Sequence, residues 1–202
     1  MKLVLASGNP GKLAELQATL APLGVVLIPQ SDLGVPEAPE PHCTFLENAL
    51  AKARHAAQHT GLPAIADDAG LCVEAFGGLP GVDTAHYATQ FGYPKGDAGN
   101  VRALLEQLDG VADRRAALVS TLVALRSPTD PQPLVATGRL SGLIPLEPKG
   151  SGGFGFDPVM YLTERGLTLA ELSAADKNEV SHRGQASRQM VELMRAQWLS
   201  LS

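Results

Sequence analysis

The chain has 202 residues, a formal net charge of −5, 45% hydrophobic and 18% charged residues, and two cysteines, Cys43 and Cys72. That length fits a single domain over 1–202 with two lobes, whose core needs neither disulfides nor a structural metal. The acidic balance and the two unspaced thiols exclude a generic basic surface for nucleic acid or lipid, a disulfide framework and a zinc site, and they fit a cytoplasmic protein with no nucleic-acid or membrane partner.

The opening MKLVLASGNPG holds an apolar run too short for a signal peptide, and no stretch approaches a membrane span. Leu3 to Ala6 reads as a buried strand, followed by the turn Ser7-Gly8-Asn9-Pro10-Gly11 and a helix over Lys12 to Leu20. Val25 to Ile28 is a second strand, and Pro29 to Cys43 a Pro-rich loop. Thr44 and Glu47 have capping-box spacing and open a helix that runs to about Thr60 and ends at Gly61. Its apolar face is Phe45, Leu46, Ala49, Leu50, Ala53 and Ala57, and its polar face is Asn48, Lys52, His55 and His59. Ala64 to Ala66 is expected to be a strand entering a turn at Asp67-Asp68-Ala69-Gly70, with Leu71 to Ala75 a strand leaving it. Ala98 to Leu108 reads as a helix. Ala116 to Arg126 and Leu134 to Leu146 read as an antiparallel strand pair. A glycine cluster at 150–155 leads into Phe156-Asp157-Pro158. Two further capping boxes start at Thr168 and Ser173, and a last helix is expected from about Gln185 to Leu199. The order points to a mixed α/β fold.

Five groups of residues are suited to chemistry, each beside a plainer reading. Ser7 to Lys12 joins a strand to a helix, so its amides and Lys12 can cradle an anion, or it is an ordinary βα turn. Its spacing is not that of a P-loop. Asp67 and Asp68 repel each other and suit Mg²⁺, or they are a capped surface turn. If the chain is extended there, the two face opposite ways and only one points into a site. Glu37, Glu40 or Glu47 can complete a metal shell, though Glu47 is already explained by capping and the other two can be solvated loop charges. Phe154 and Phe156, among glycines in a chain with only 4% aromatics, can stack on a base or plug a core. Lys177, His182 and Arg183 can hold phosphate or base edges, or form a solvated helix start. His55, His59 and His86 show no metal spacing with a partner.

Together the segments SGNPGK (7–12), TFLENALAKA (44–53), ADDAGL (66–71), GGLPGV (77–82), GGFGFDP (152–158) and Lys177 with SHRG (181–184) resemble the inosine triphosphate pyrophosphatase family, also called Ham1-like or dITP/XTP pyrophosphatases. The segments stand in the family's order and span nearly the whole chain. The resemblance implies an elongated mixed sheet with flanking helices, two lobes with a nucleotide cleft between them, and a homodimer. It also implies hydrolysis of ITP, dITP or XTP to the monophosphate and pyrophosphate, with Mg²⁺ as cofactor. By the same resemblance Asp68 is the catalytic carboxylate and, with Glu40, a metal ligand. Ser7, Gly8, Asn9, Pro10, Gly11 and Lys12 would contact triphosphate and sugar, with Ala69 at the edge of the site and Lys52 a further phosphate ligand. Phe154, Gly155, Phe156, Asp157, Lys177, His182 and Arg183 would hold the purine. Three positions depart from the family pattern: Ala69 stands where Ser is usual, His42 where Gly is common, and Phe156 where Tyr is frequent. Two other functions fit parts of the sequence. One is a Maf-like pyrophosphatase for pyrimidine or modified nucleotides, and the other is a nucleotide sensor without chemistry. The GGFGFD and SHRG segments favour the purine reading, and retention of Lys12, Asp67, Asp68 and Lys177 favours an enzyme.

Overall fold

A computed structural model describes residues 1–199. In chain order the strands are β1 (Lys2–Leu5), β2 (Val26–Pro29), β3 (Ala64–Val73), β4 (Arg115–Leu125), β5 (Leu134–Leu143), β6 (Tyr161–Leu162) and β7 (Leu167–Thr168). The helices are α1 (Pro10–Leu20), α2 (Phe45–Thr60), α3 (Asp97–Gln107), α4 (Ala174–Val180) and α5 (His182–Met194), the last followed by a π turn over Arg195–Leu199. Among the described residues no helix is long and apolar enough to cross a membrane.

The strands hydrogen-bond in the order β2-β1-β3-β4-β5-β6-β7. The sheet is mixed, as expected. β1 runs parallel to β2 and β3, whereas β6 runs antiparallel to β5 and β7. The chain forms two compact units. The first holds Met1–Asp68, Ser120–Gly138 and, of the described residues, 183–199; the second holds Ala69–Val119 and Arg139–His182.

In the first unit the period-2 alternation of strand side chains sorts residues onto two faces. Leu3, Leu5, Ile65, Leu122 and Ala124 pack with Leu16 and Leu20 of α1 and with Ala186, Met190 and Met194 of α5. Val4, Ala6, Ala64, Ala66, Val123 and Leu125 pack with Ala49, Ala53, Ala56 and Ala57 of α2. Both faces of this part of the sheet are therefore covered, which is why Leu3 to Ala6 reads as a continuous apolar run. The second unit has its own core, built around Leu71, Leu104, Leu118, Ile144, Phe156 and Met160.

Three expectations need correction. No turn occurs at Asp67-Asp68, because β3 continues through both residues to Val73. Aspartates and glycine bias a sequence toward a turn, but here burial on both faces and the neighbouring strands keep the backbone extended. The last helix begins at His182 rather than near Gln185, so His182 and Arg183 belong to its first turn. On α2, Leu46 is exposed while Asn48 and Lys52 are buried. The helical period is right, but specific polar partners bury part of the polar stripe. The α2 ends are as expected: Thr44 accepts the Glu47 amide, and Gly61 closes the helix at φ 67°.

Candidate active site

The alternation that sorts the core also sorts the two aspartates. Asp67 shares the parity of Ile65 and faces α1 and α5, and Asp68 shares the parity of Ala66 and faces α2. Both carboxylates are buried, Asp67 at 0% exposure and Asp68 at 5%.

Asp67 is fully paired. Its Oδ1 accepts the Ser120 hydroxyl at 2.6 Å, and its Oδ2 accepts Arg183 Nε at 2.8 Å and lies 3.1 Å from Lys12 Nζ. Lys12 Nζ also donates to the Asp67 carbonyl at 3.1 Å, and Arg183 Nη1 reaches Glu15 at 2.7 Å. Burial alone would raise the Asp67 pKa. The Arg183 and Lys12 charges and the Ser120 and Arg183 hydrogen bonds outweigh it and hold the carboxyl well below the usual range. Burial lowers the Lys12 pKa in spite of Asp67, helped by the nearby charges of Arg183 and Lys52.

Asp68 has different neighbours. Lys52 Nζ donates to its Oδ1 at 2.6 Å and to Glu40 Oε2 at 3.2 Å. Asp68 Oδ2 is buried with no hydrogen-bond partner among the described residues. Burial, together with the charge of Glu40, pushes the Asp68 carboxyl up to about 6 against the pull of Lys52. Burial works against the Lys52 charge, but Asp68 and Glu40 raise its pKa. Glu40, also desolvated, is held below its usual range mainly by Lys52. Two carboxylates thus share one ammonium, leaving one negative charge uncompensated beside a carboxylate oxygen that lacks a donor. This oxygen-only donor pair fits a divalent cation completed by phosphate oxygens. No group of three or more His, Cys, Asp or Glu is placed to hold a metal by itself among the described residues.

The Ser7–Lys12 loop spends much of its hydrogen-bonding capacity on itself. Ser7 Oγ accepts the Asn9 amide at 3.1 Å. Asn9 Oδ1 caps α1 by accepting the Gly11 and Lys12 amides at 2.8 and 3.2 Å. Pro10, the first α1 residue, has no N–H to give. The Gly8 amide has no acceptor among the described residues, and a Cβ at Gly8 would lie 3.7 Å from Glu37 Oε1. Ala69 is half-buried on β3.

Of the base-binding candidates, Phe154, Gly155, Phe156, Asp157, Lys177 and His182 lie in the second unit and Arg183 in the first. Asp157, on the turn after the glycines, accepts the Phe154 amide at 2.8 Å and pairs with Lys177 of α4 at 2.7 Å. Lys177 Nζ also lies 4.5 Å from the Phe154 ring centroid. A Cβ on Gly153, which has φ +73°, would collide with the Asp157 carboxylate, so glycine is needed there. Asp97, the first residue of α3, accepts the Gly155 amide at 2.7 Å. The two phenylalanines separate: Phe156 is buried in the core at 3% exposure, and Phe154 is half-buried. His182 is buried at the start of α5, and Arg183 is 3% exposed on Asp67 and Glu15.

Sequence reasoning missed Ser120, Glu15 and Asp97. Ser120 carried a signal, being a polar residue in the apolar run of β4. Glu15 and Asp97 carried none, since acidic residues are ordinary on helices.

The Ham1 family model matches residues 3–193. The chain belongs to the Ham1 family. Two relatives named dITP/XTP pyrophosphatase cover nearly all of it. The one from Acidovorax sp. (strain JS42) is 71% identical over 99% of this chain and 98% of its own length. The one from Paracidovorax citrulli (strain AAC00-1) is 69% identical over 98% of this chain and 100% of its own. Among solved structures, the HAM1 protein from Coxiella burnetii superposes with TM-score 0.89 at 42% identity, covering 97% of this chain and 99% of that one. The nucleoside-triphosphatase / dITP/XTP pyrophosphatase from Mycobacterium abscessus gives TM-score 0.74 at 41% identity over 96% and 99%.

Proposed function

We propose that this Ham1-family chain is a magnesium-dependent nucleoside triphosphate pyrophosphatase that hydrolyses dITP, ITP and XTP to the monophosphate and pyrophosphate. The observation that carries this reading is the Asp68 carboxylate, buried beside Glu40 with its Oδ2 lacking a donor. The names of the near-full-length relatives support the substrate class.

Asp68 and Glu40 would hold the Mg²⁺. When bound, it supplies charge neutralisation and polarisation of phosphate oxygens and water. Lys52 occupies Asp68 Oδ1 and so leaves Oδ2 as the atom that takes the proton of the attacking water. Water adds to the α-phosphorus, the α–β bridging bond breaks, and pyrophosphate leaves with the bond's electron pair. Lys12, Lys52 and the Gly8 amide stabilise the charge that develops on the phosphates. Ser7, Asn9, Pro10 and Gly11 shape that loop, and Ala69, which lacks a hydroxyl, keeps its backbone N–H for the substrate. Phe154 stacks on the purine above Lys177, while Gly155, Phe156 and Asp157 fix the ring's place. His182 completes the selection of 6-oxo purines, since a site that pairs polar edges rejects a base that leaves them unpaired, while Arg183, buried on Asp67 and Glu15, anchors the start of α5. The protein works in the cytoplasm, a reading consistent with its two free thiols, and as a homodimer, as the family resemblance implies.

The test is release of pyrophosphate, against orthophosphate, from dITP, XTP, dATP, dGTP and dUTP with and without Mg²⁺. Mg²⁺-dependent pyrophosphate from dITP and XTP well above the others is expected. Preference for dUTP would move the chain to pyrimidine substrates, and binding without hydrolysis would make it a sensor.

A further inference from the structure

Glu40 lies in a stretch without regular secondary structure between Val35 and His42, a stretch that includes Pro36, Pro39 and Pro41. Prolines give no N–H, so a strand ladder cannot hold such a segment. Helix α2 holds it instead. Asn48 Oδ1 accepts the His42 amide at 3.0 Å, and Asn48 Nδ2 donates to the His42 carbonyl at 3.1 Å. Lys52 Nζ takes Glu40 Oε2 at 3.2 Å, and His55 Nε2 lies 3.0 Å from the Pro36 carbonyl oxygen.

Asn48, Lys52 and His55 stand at i, i+4 and i+7, which is one stripe of a helix. Their partners His42, Glu40 and Pro36 run the opposite way along the chain, so the segment lies antiparallel to α2, fastened on both sides of Glu40. Asn48 is 1% exposed, whereas the Glu40 side chain is 46% exposed. The acid is therefore held by its anchored backbone and by one lysine, not by burial.

We propose that Asn48 and His55 are positioning residues that set the divalent-cation affinity of the site by fixing Glu40. The proposal rests on the reading of Asp68 and Glu40 as the metal ligands. Neither residue touches the metal or the substrate; each acts through the backbone on one side of Glu40.

The test is Mn²⁺ titration of the full chain, read from the electron paramagnetic resonance of free Mn²⁺, which needs no turnover. Asn48→Ala and His55→Ala are each expected to weaken Mn²⁺ binding by about tenfold, the usual cost of losing a residue that orients a ligand. His55→Gln, which keeps a donor near the same place, is expected to restore most of it. With dITP, the Mn²⁺ concentration at half-maximal rate should rise by a similar factor, while kcat at saturating Mn²⁺ stays within about twofold, because the acid is displaced rather than removed. In a Glu40→Gln background, Asn48→Ala should weaken Mn²⁺ binding no further, as expected of residues acting as one unit. Unchanged Mn²⁺ affinity in folded His55→Ala and Asn48→Ala, or a full additional loss in the Glu40→Gln background, would overturn the proposal. If Asn48→Ala does not fold, the half-buried His55 pair decides alone. Should Glu40→Gln and Asp68→Asn themselves bind Mn²⁺ like the unaltered chain, the metal reading fails and the positioning proposal with it. Absence of pyrophosphate release by the unaltered chain would instead fail the functional reading and leave the titration to judge the anchors.

Discussion

The two faces of β3 at residues 67 and 68 carry the same side chain in opposite circumstances. On the α1/α5 face, Asp67 meets two cations and a hydroxyl, and its carboxyl is held strongly ionised. On the α2 face, Asp68 meets one lysine shared with a second carboxylate, keeps an oxygen without a donor, and has its carboxyl pushed up to about 6. A buried carboxylate that is fully matched holds a structure together; one that is under-matched is poised for a cation, a proton or both. One residue step along a strand separates the two roles.

The largest expected effect falls on the matched face. Arg183→Met leaves Asp67 buried with Lys12 as its remaining ion-pair partner among the described residues and should cost about 3–5 kcal/mol in urea unfolding. A cost under about 1 kcal/mol would mean that Arg183 does not anchor this face.

The two faces should also give stability opposite slopes against pH. Asp67 has a depressed carboxyl, so its contribution is present above its ordinary value of 3.8 and lost as pH falls below it. Asp68 has a raised carboxyl: between 3.8 and about 6 the unfolded chain has ionised while the folded one keeps its proton. Stability from Asp68 is thus present below pH 3.8 and lost as pH rises toward 6. In metal-free protein, Asp68→Asn should remove a fall in stability over that window, and Asp67→Asn should remove a rise at lower pH. Unfolding midpoints from pH 3 to 7 measure both, and equal slopes for the two variants would erase the distinction.

A smaller effect is expected in the second unit, outside both faces. Phe154→Leu should raise KM for dITP about tenfold through lost stacking, with unfolding unchanged. The same substitution at Phe156 should instead show up in stability, since that ring is core.

Much of this was legible in the sequence. Leu3-Val4-Leu5 and Ala64-Ile65-Ala66 mark strands buried on both faces, and the capping residues mark α2. The opposed directions of Asp67 and Asp68 follow from any extended backbone, even though a turn was expected there. That turn signal was local composition, whereas the continuous strand comes from the neighbouring strands and burial on both faces, with the two carboxylates matched by cations from distant segments: Lys12, Lys52 and Arg183. The same distance hid Glu15 and left Ser120 marked only as a polar residue within β4, since the roles of both exist only through a partner brought in by tertiary packing. Asn48 and His55 sat on an expected polar stripe, but nothing local distinguished solvent from a proline-rich segment as their partner. Phe154 and Phe156 are near neighbours in the sequence, and only the fold sends one to the core and leaves the other half-exposed.

The most direct measurement takes Asp67→Asn and Asp68→Asn side by side, with urea unfolding and Mg²⁺-dependent pyrophosphate release from dITP on each. Asp68→Asn should keep or slightly gain stability and lose turnover by about 10²–10⁴-fold. Asp67→Asn should lose about 3–5 kcal/mol of stability. Near-normal pyrophosphate release by a folded Asp68→Asn protein, or undiminished stability in Asp67→Asn, would contradict the division of labour between the two faces.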